Sequence, residues 1–237
     1  MTTGGSLDLL MTSGERFPTL GSAISPQRID NATCRLGARS LSLKPPRSEP
    51  KALRLSIVTP SDGAVACWVQ LAPRTLNLAE ATVAHYLDEI DAPQAVRAAW
   101  ATAKPPKRWT ETYTKNAKIL VPGANVADAS VPDSAVGLKL ELILVAGVGT
   151  NSGDKLMPVL VLLDGKPREG LSIALTGEKA GKPQRLRSDA QGRVAFPLPN
   201  PGRWMLSATD LVARDASKGE WESQFSTLVF EVPATSR

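Results

Sequence analysis

Histidine is nearly missing from this chain: His85 is the only one in 237 residues, cysteine occurs twice, and aromatic residues make up 5%. These shortages exclude much chemistry. A zinc or nickel centre built from this chain alone would lack imidazole ligands and thiolates at coordinating spacing, so no metal ligand is expected. No uninterrupted apolar run approaches the roughly 20 residues that a membrane-spanning helix needs. No Gly-x-Ser-x-Gly elbow occurs, neither cysteine has a base beside it in sequence, and Gly147-Val148-Gly149 lacks the lysine and hydroxyl residue of a phosphate loop. Asp164, Asp189 and Asp210 stand at turns or strand ends, without the alternating carboxylates of a calcium loop. The reading is therefore non-enzymatic, with no catalytic residue and no cofactor.

The charge balance is basic, +5 with a sequence pI near 9.4, but the basic residues are scattered among acidic ones. Lys104 to Arg108 and Lys179 to Arg187 are the local concentrations, and neither alternates with aromatic side chains that could stack bases. No nucleic-acid partner is expected. Met1 to Leu10 has no basic stretch followed by an apolar core, so it does not read as an export signal. Ser6 to Met11 already alternates as a strand does, and the expectation is that the chain begins inside a domain.

What the chain does have is strand-and-turn patterning. Leu7–Met11, Ser22–Leu36, Leu41–Leu43, Ala52–Val58 and Ala64–Leu71 alternate apolar and polar residues, with Ser13-Gly14, Pro45-Pro46 and Ser61-Asp62-Gly63 as turns between them. Residues 1–75 are read as an N-terminal β-sandwich domain lacking its first strand. The period then changes. Asn77 followed by Glu80 reads as a capping box ahead of Val83, Leu87 and Ile90, and Asp91-Ala92-Pro93 starts a second helix bearing Val96, Ala99 and Trp100. A third short helix is expected from Arg108 to Lys115, then a strand from Ala117 to Val121. Residues 76–121 are thus a helical insert with a connecting strand.

A polar loop from Pro122-Gly123 to about Asp133 is read as a linker. Residues 134–237 form the C-terminal β-sandwich domain, with seven expected strands: 137–145, 156–163, 171–176, 184–188, 194–198, 203–208 and 224–232. Asp189-Ala190-Gln191-Gly192 reads as the turn of a hairpin between the fourth and fifth. The fold class expected is mainly β: two immunoglobulin-like or prealbumin-like antiparallel sandwiches with a small helical insert between them.

Candidate ligand-binding residues are Trp109, Tyr113 and Lys118, which could rim a cleft between the domains. The competing structural reading packs Trp109 and Tyr113 one helical turn apart and pairs Lys118 with a carboxylate. His85 falls off the apolar face of its helix, beside Asp88 and Glu89. Cys34 and Cys67 lie in strand-like segments; they make one disulfide if the chain is exported, or two separate buried thiols.

Several short stretches together resemble a known family. They are Gly14-Glu15-Arg16-Phe17, Ser61-Asp62-Gly63, His85-Tyr86-Leu87, Tyr113 with Lys118, Leu140-Glu141-Leu142, Leu163-Asp164-Gly165-Lys166-Pro167, and Ser188-Asp189 with Gly192 and Phe196, then Gly202 with Trp204. Their order resembles the periplasmic family of domain of unknown function number 4198, also called NikM-like. The resemblance implies an exported two-part β protein, and some members occur with nickel or cobalt uptake systems. This chain departs from that pattern by lacking an initial segment with histidine and an aromatic residue, and by having Ser207-Ala208-Thr209-Asp210 where members often carry a histidine. An in-frame export signal and such a segment are expected upstream of Met1. The expected function is a periplasmic binding or accessory protein associated with transition-metal uptake and partnered by an envelope protein or transport component. The alternatives are an adhesion-type interaction module, and an enzyme using Tyr113 and Lys118 as acid and base.

Overall fold

Alternating apolar positions and frequent turn residues carry most of the chain into strands, while two stretches of helical period form the helices. The computed structural model describes residues 5–14, 16–59, 63–123, 133–145, 156–179 and 181–233. In chain order the elements are β1 (Gly5–Ser13), β2 (Ser22–Ala23), β3 (Ile29–Leu36), β4 (Arg39–Leu41), β5 (Arg47–Ser48), β6 (Leu53–Thr59), β7 (Val65–Leu71) and β8 (Arg74–Leu78). Helices α1 (Glu80–Glu89) and α2 (Gln94–Ala101) follow, then β9 (Trp109–Val121), β10 (Leu140–Leu144), β11 (Leu156–Leu163), β12 (Lys166–Pro167) and β13 (Ser172–Gly177). The last elements are β14 (Gln184–Arg187), β15 (Arg193–Pro197), β16 (Gly202–Asp215) and β17 (Glu220–Val232). Neither helix is long and apolar enough to cross a membrane.

A nine-stranded sheet, in the order β14-β13-β16-β17-β9-β7-β3-β4 with β8 also paired to β9, runs through both halves of the chain. The halves meet where β9 lies parallel to β17 and antiparallel to β7. Two smaller sheets cover it: β2-β1-β6-β5, and β10-β11-β12 with β15 on β11.

Because side chains alternate across a strand, each face of the large sheet builds its own core. On one face Leu206, Leu228 and Phe230 meet Leu142, Val159 and Phe196 of the β10/β11/β15 sheet. On the other, Val69 and Leu71 pack on Leu53 and Leu55, and Val65 and Cys67 pack on Ile57 and Leu41. Farther along that second face, Trp109, Leu211 and Trp221 receive Val83 and Leu87 of α1 and Val96 and Trp100 of α2. Each fully buried Leu, Val or Phe contributes about 1.5–3 kcal/mol by leaving water. Both expected β regions are therefore sandwiches, and they share one central sheet.

Several local expectations change. The helix expected from Arg108 to Lys115 is the first half of β9: threonines at 110, 112 and 114 favour extended backbone, and the place between β17 and β8 supplies ladder partners on both sides. The Ser22–Leu36 run is interrupted by a 3₁₀ turn, Pro26–Arg28, that separates β2 from β3. Asn77 does not cap α1, whose N-cap is Ala79; it belongs to β8, which was not foreseen, and its side-chain oxygen accepts from the Thr110 hydroxyl at 2.8 Å. The Asp189–Gly192 turn is tight as expected. Asp189 Oδ1 accepts the N–H groups of Gln191 and Arg193 at 2.9 and 2.8 Å. Its arms nevertheless do not pair with each other: β14 joins β13 in the central sheet, and β15 joins β11 in the covering one. The segment is an arch between layers, because Phe196 must face the core from the opposite side. Glu15, Ser61-Asp62, the loop 124–132 and Gly147-Val148-Gly149 lie outside the described residues.

Candidate functional site

Strand β9 carries all three residues singled out from the sequence, but alternation sends them apart. Trp109 is buried at 2% exposure, stacked on Trp221 with ring centroids 4.3 Å apart and edge-on to Tyr86 and Trp100. Tyr113 is half-buried on the same face of the strand, edge-on to Phe225 at 6.1 Å. Lys118 points from the opposite face. Its ammonium donates to Asp133 Oδ1 at 2.8 Å and Glu141 Oε1 at 3.1 Å, with all three side chains 1–2% exposed.

The Lys118 group works as a fastener. The Glu141 carboxylate also accepts the backbone N–H groups of Val136, Gly137 and Leu138, and Asp133 Oδ2 accepts that of Leu144. Residues 133–144 are thereby tied to the central sheet. Burial pushes the Asp133 carboxyl above its usual range, against the pull of Lys118. His85 is exposed on α1. Cys34 and Cys67, directly opposite on β3 and β7, are joined in a disulfide.

Another buried carboxylate was not picked out from the sequence. Glu111 is 0% exposed and takes part in no ion pair among the described residues. Its Oε1 accepts from Tyr86 Oη at 2.9 Å and from Ser223 Oγ, and its Oε2 from Trp109 Nε1 at 2.8 Å. Burial, then the neighbouring Glu111 charge, drives the Tyr86 hydroxyl far above its usual pKa, so this bond keeps its proton. The cluster fixes the helix pair to the sheet. Alternation of Trp109, Glu111 and Tyr113 would have placed Glu111 on the buried face, had the segment been read as a strand.

The concave polar site lies on the other face of the same strands. Asp30, Gln70, Pro73, Thr112, Thr114, Lys139, Glu222 and Gln224 line a cleft of about 360 Å³. Thr114 stands opposite Gln224, and the next residue inward on that face, Asn116, stands opposite Ser226 and Gln70. Asn116 and Gln224 are 2% and 5% exposed. Both side-chain polar atoms of Asn116, and Gln224 Oε1, have no hydrogen-bond partner among the described residues. Leaving such groups unsatisfied costs about 1–3 kcal/mol each; Gln224 lines the cleft, and Asn116 lies one step inward from it. At its rim Lys139 pairs with Glu222 at 3.0 Å, and Arg214 pairs with the other oxygen. Burial works against ionisation of Glu222, but these two cations outweigh it and hold the carboxyl below its usual range.

The profile of a family described as a domain of unknown function, DUF4198, matches residues 42–210, more than half of the chain. The chain belongs to the DUF4198 family. The matched span of this DUF4198 chain includes β9, the helix pair, the Lys118 fastener and the Asp189 arch. No curated protein matches it in sequence.

Proposed function

We propose that this DUF4198 chain is a non-enzymatic binding or accessory protein of the bacterial periplasm. The observation that carries the reading is the buried Asn116 amide and Gln224 Oε1, without hydrogen-bond partners among the described residues, beside a cleft of about 360 Å³ on the nine-stranded sheet. A pocket with a few fixed polar groups is the usual form of a small-molecule site. The Cys34–Cys67 disulfide supports an oxidising compartment. Tyr113 and Lys118 project from opposite faces of β9, which favours binding over acid-base chemistry by that pair.

The part in nickel or cobalt uptake rests on the family resemblance. Among the described residues no group of three or more His, Cys, Asp or Glu could hold an ion, so the role assigned is accessory. The cleft is tested by screening small polar molecules for thermal stabilisation of the wild type and of Asn116→Leu and Gln224→Leu variants. A compound that stabilises only the wild type supports the reading; a broad periplasmic extract yielding none overturns it. Calorimetry with nickel, cobalt, copper and zinc tests the metal link separately, and binding no tighter than millimolar would remove it.

A further inference from the structure

Between the part of β9 under the four-stranded sheet and the part under the helices, one face carries three cations and two rings. We propose that Arg28 and Lys115, set over the rings of Tyr113 and Phe225, together with Arg74 from the strand position opposite Tyr113, bind a small oxyanion, the carboxylate or phosphate group of a ligand. This site lies across the sheet from the polar cleft and is independent of it.

Arg28 Cζ sits 5.6 Å from the Tyr113 ring centroid, and Lys115 Nζ sits 5.6 Å from the same ring and 5.5 Å from that of Phe225. Arg74 on β8 stands directly opposite Tyr113 on β9, which puts both side chains on one face. None of the three cations enters an ion pair among the described residues, although ion pairs occupy many other charged groups of the chain. Arg28 donates one N–H to the Ala72 carbonyl at 2.8 Å, and its Nε is buried without a partner. Among the described residues Lys115 donates to the Ser13 hydroxyl alone, at 3.4 Å. The neighbouring carboxylate on this face of β9, Glu111, is occupied by Tyr86, Ser223 and Trp109.

Ring faces stabilise cations without neutralising them, so the mutual repulsion of the three charges remains. Arg28 and Lys115 both lie 5.6 Å from the centre of the Tyr113 ring, so their charges are separated by no more than about a Debye length, roughly 10 Å at 0.1 M salt, and solvent ions screen them only partly. An oxyanion removes that repulsion and gains charge-assisted bonds from planar guanidinium and point-charge ammonium donors.

Tyrosine signals provide the test, because the chain contains only two tyrosines. Tyr113 reports on the site, while Tyr86, held against buried Glu111, serves as internal reference and as a check that variants stay folded. The full chain, isotopically labelled on tyrosine, is titrated at low ionic strength with inorganic phosphate and, separately, with acetate. A saturable shift of the Tyr113 ring with either anion, Tyr86 unmoved, supports the site, and the stronger anion identifies the group. Lys115→Met should weaken binding about tenfold or more, the loss of one charge-assisted bond, with the Tyr86 signal retained. The absence of a saturable shift, equal movement of both tyrosines, or unchanged affinity in Lys115→Met would each overturn the proposal.

Discussion

Trp109 and Trp221 stack at an interplanar angle of 11° across the β9–β17 junction, with α2 closing over them through the edge-on ring of Trp100. The pair joins the middle of the chain to its last strand, and the helix pair is seated on it. Trp221→Ala should cost about 3–5 kcal/mol, since truncating a buried aromatic loses both transfer energy and packing. Urea unfolding followed by far-ultraviolet circular dichroism measures it; a loss below 1 kcal/mol would mean that the stack does not hold the helices.

Alkaline stability should depend on Tyr86. Its folded pKa is raised by burial and then by Glu111, so its contribution is complete below the unfolded value near 10 and is lost as pH rises beyond that. Tyr86→Phe should flatten the decline of the urea midpoint between about pH 9 and 11 while lowering the midpoint at pH 7.

Acid also lowers stability, through other groups. Asp215 is held at about 2 by Ser217 and Lys218, Asp8 is lowered by Ser56 and Arg54, and Glu222 is lowered once Lys139 and Arg214 outweigh its burial. Each contributes stability above its unfolded pKa, and that stability is lost as pH falls through the folded one. Stability should therefore drop from about pH 4 towards pH 2, and Asp215→Asn should reduce the slope of that decline.

Reducing the disulfide should lower stability without changing the fold. Cys34 and Cys67 are 33 residues apart, a loop whose closure is worth about 3–4 kcal/mol in the chain-entropy picture. A Cys34→Ser/Cys67→Ser variant should unfold at lower urea, with an unaltered far-ultraviolet spectrum.

Lys118→Met should cost about 3–5 kcal/mol, because it strands the buried Asp133 and Glu141 carboxylates. Protection of the Val136, Gly137 and Leu138 amides from hydrogen exchange should fall with it.

The sandwich character was legible because Leu53/Leu55/Ile57 and Val65/Cys67/Val69 alternate, and alternation reports burial of one strand face directly. Strand β9 was misread because Trp109 and Tyr113 also fit a helical spacing of four, and the threonines between them carried the better signal. The arch at Asp189 was misread because a tight turn dictates the turn alone; whether its arms pair depends on which sheet buries Phe196.

The candidate sites were less legible still. Tyr113 was noticed for its type, but Arg28 comes from β3's approach, Arg74 from β8 and Phe225 from the last long strand, and no local spacing relates them. Asn116 and Gln224 carry no signal of their own in the sequence; the β9–β17 register sets them diagonally across the pair in a buried floor.

The sequence by itself determined a β protein with a short helical pair, the turns between its strands and the membership of its family, because these depend on local period and turn chemistry. Only the tertiary structure decided that one sheet joins both halves through a parallel β9–β17 pair, and which face each polar side chain occupies. Such pairing is set by non-local burial, and a one-residue change of register would exchange the two faces of β9.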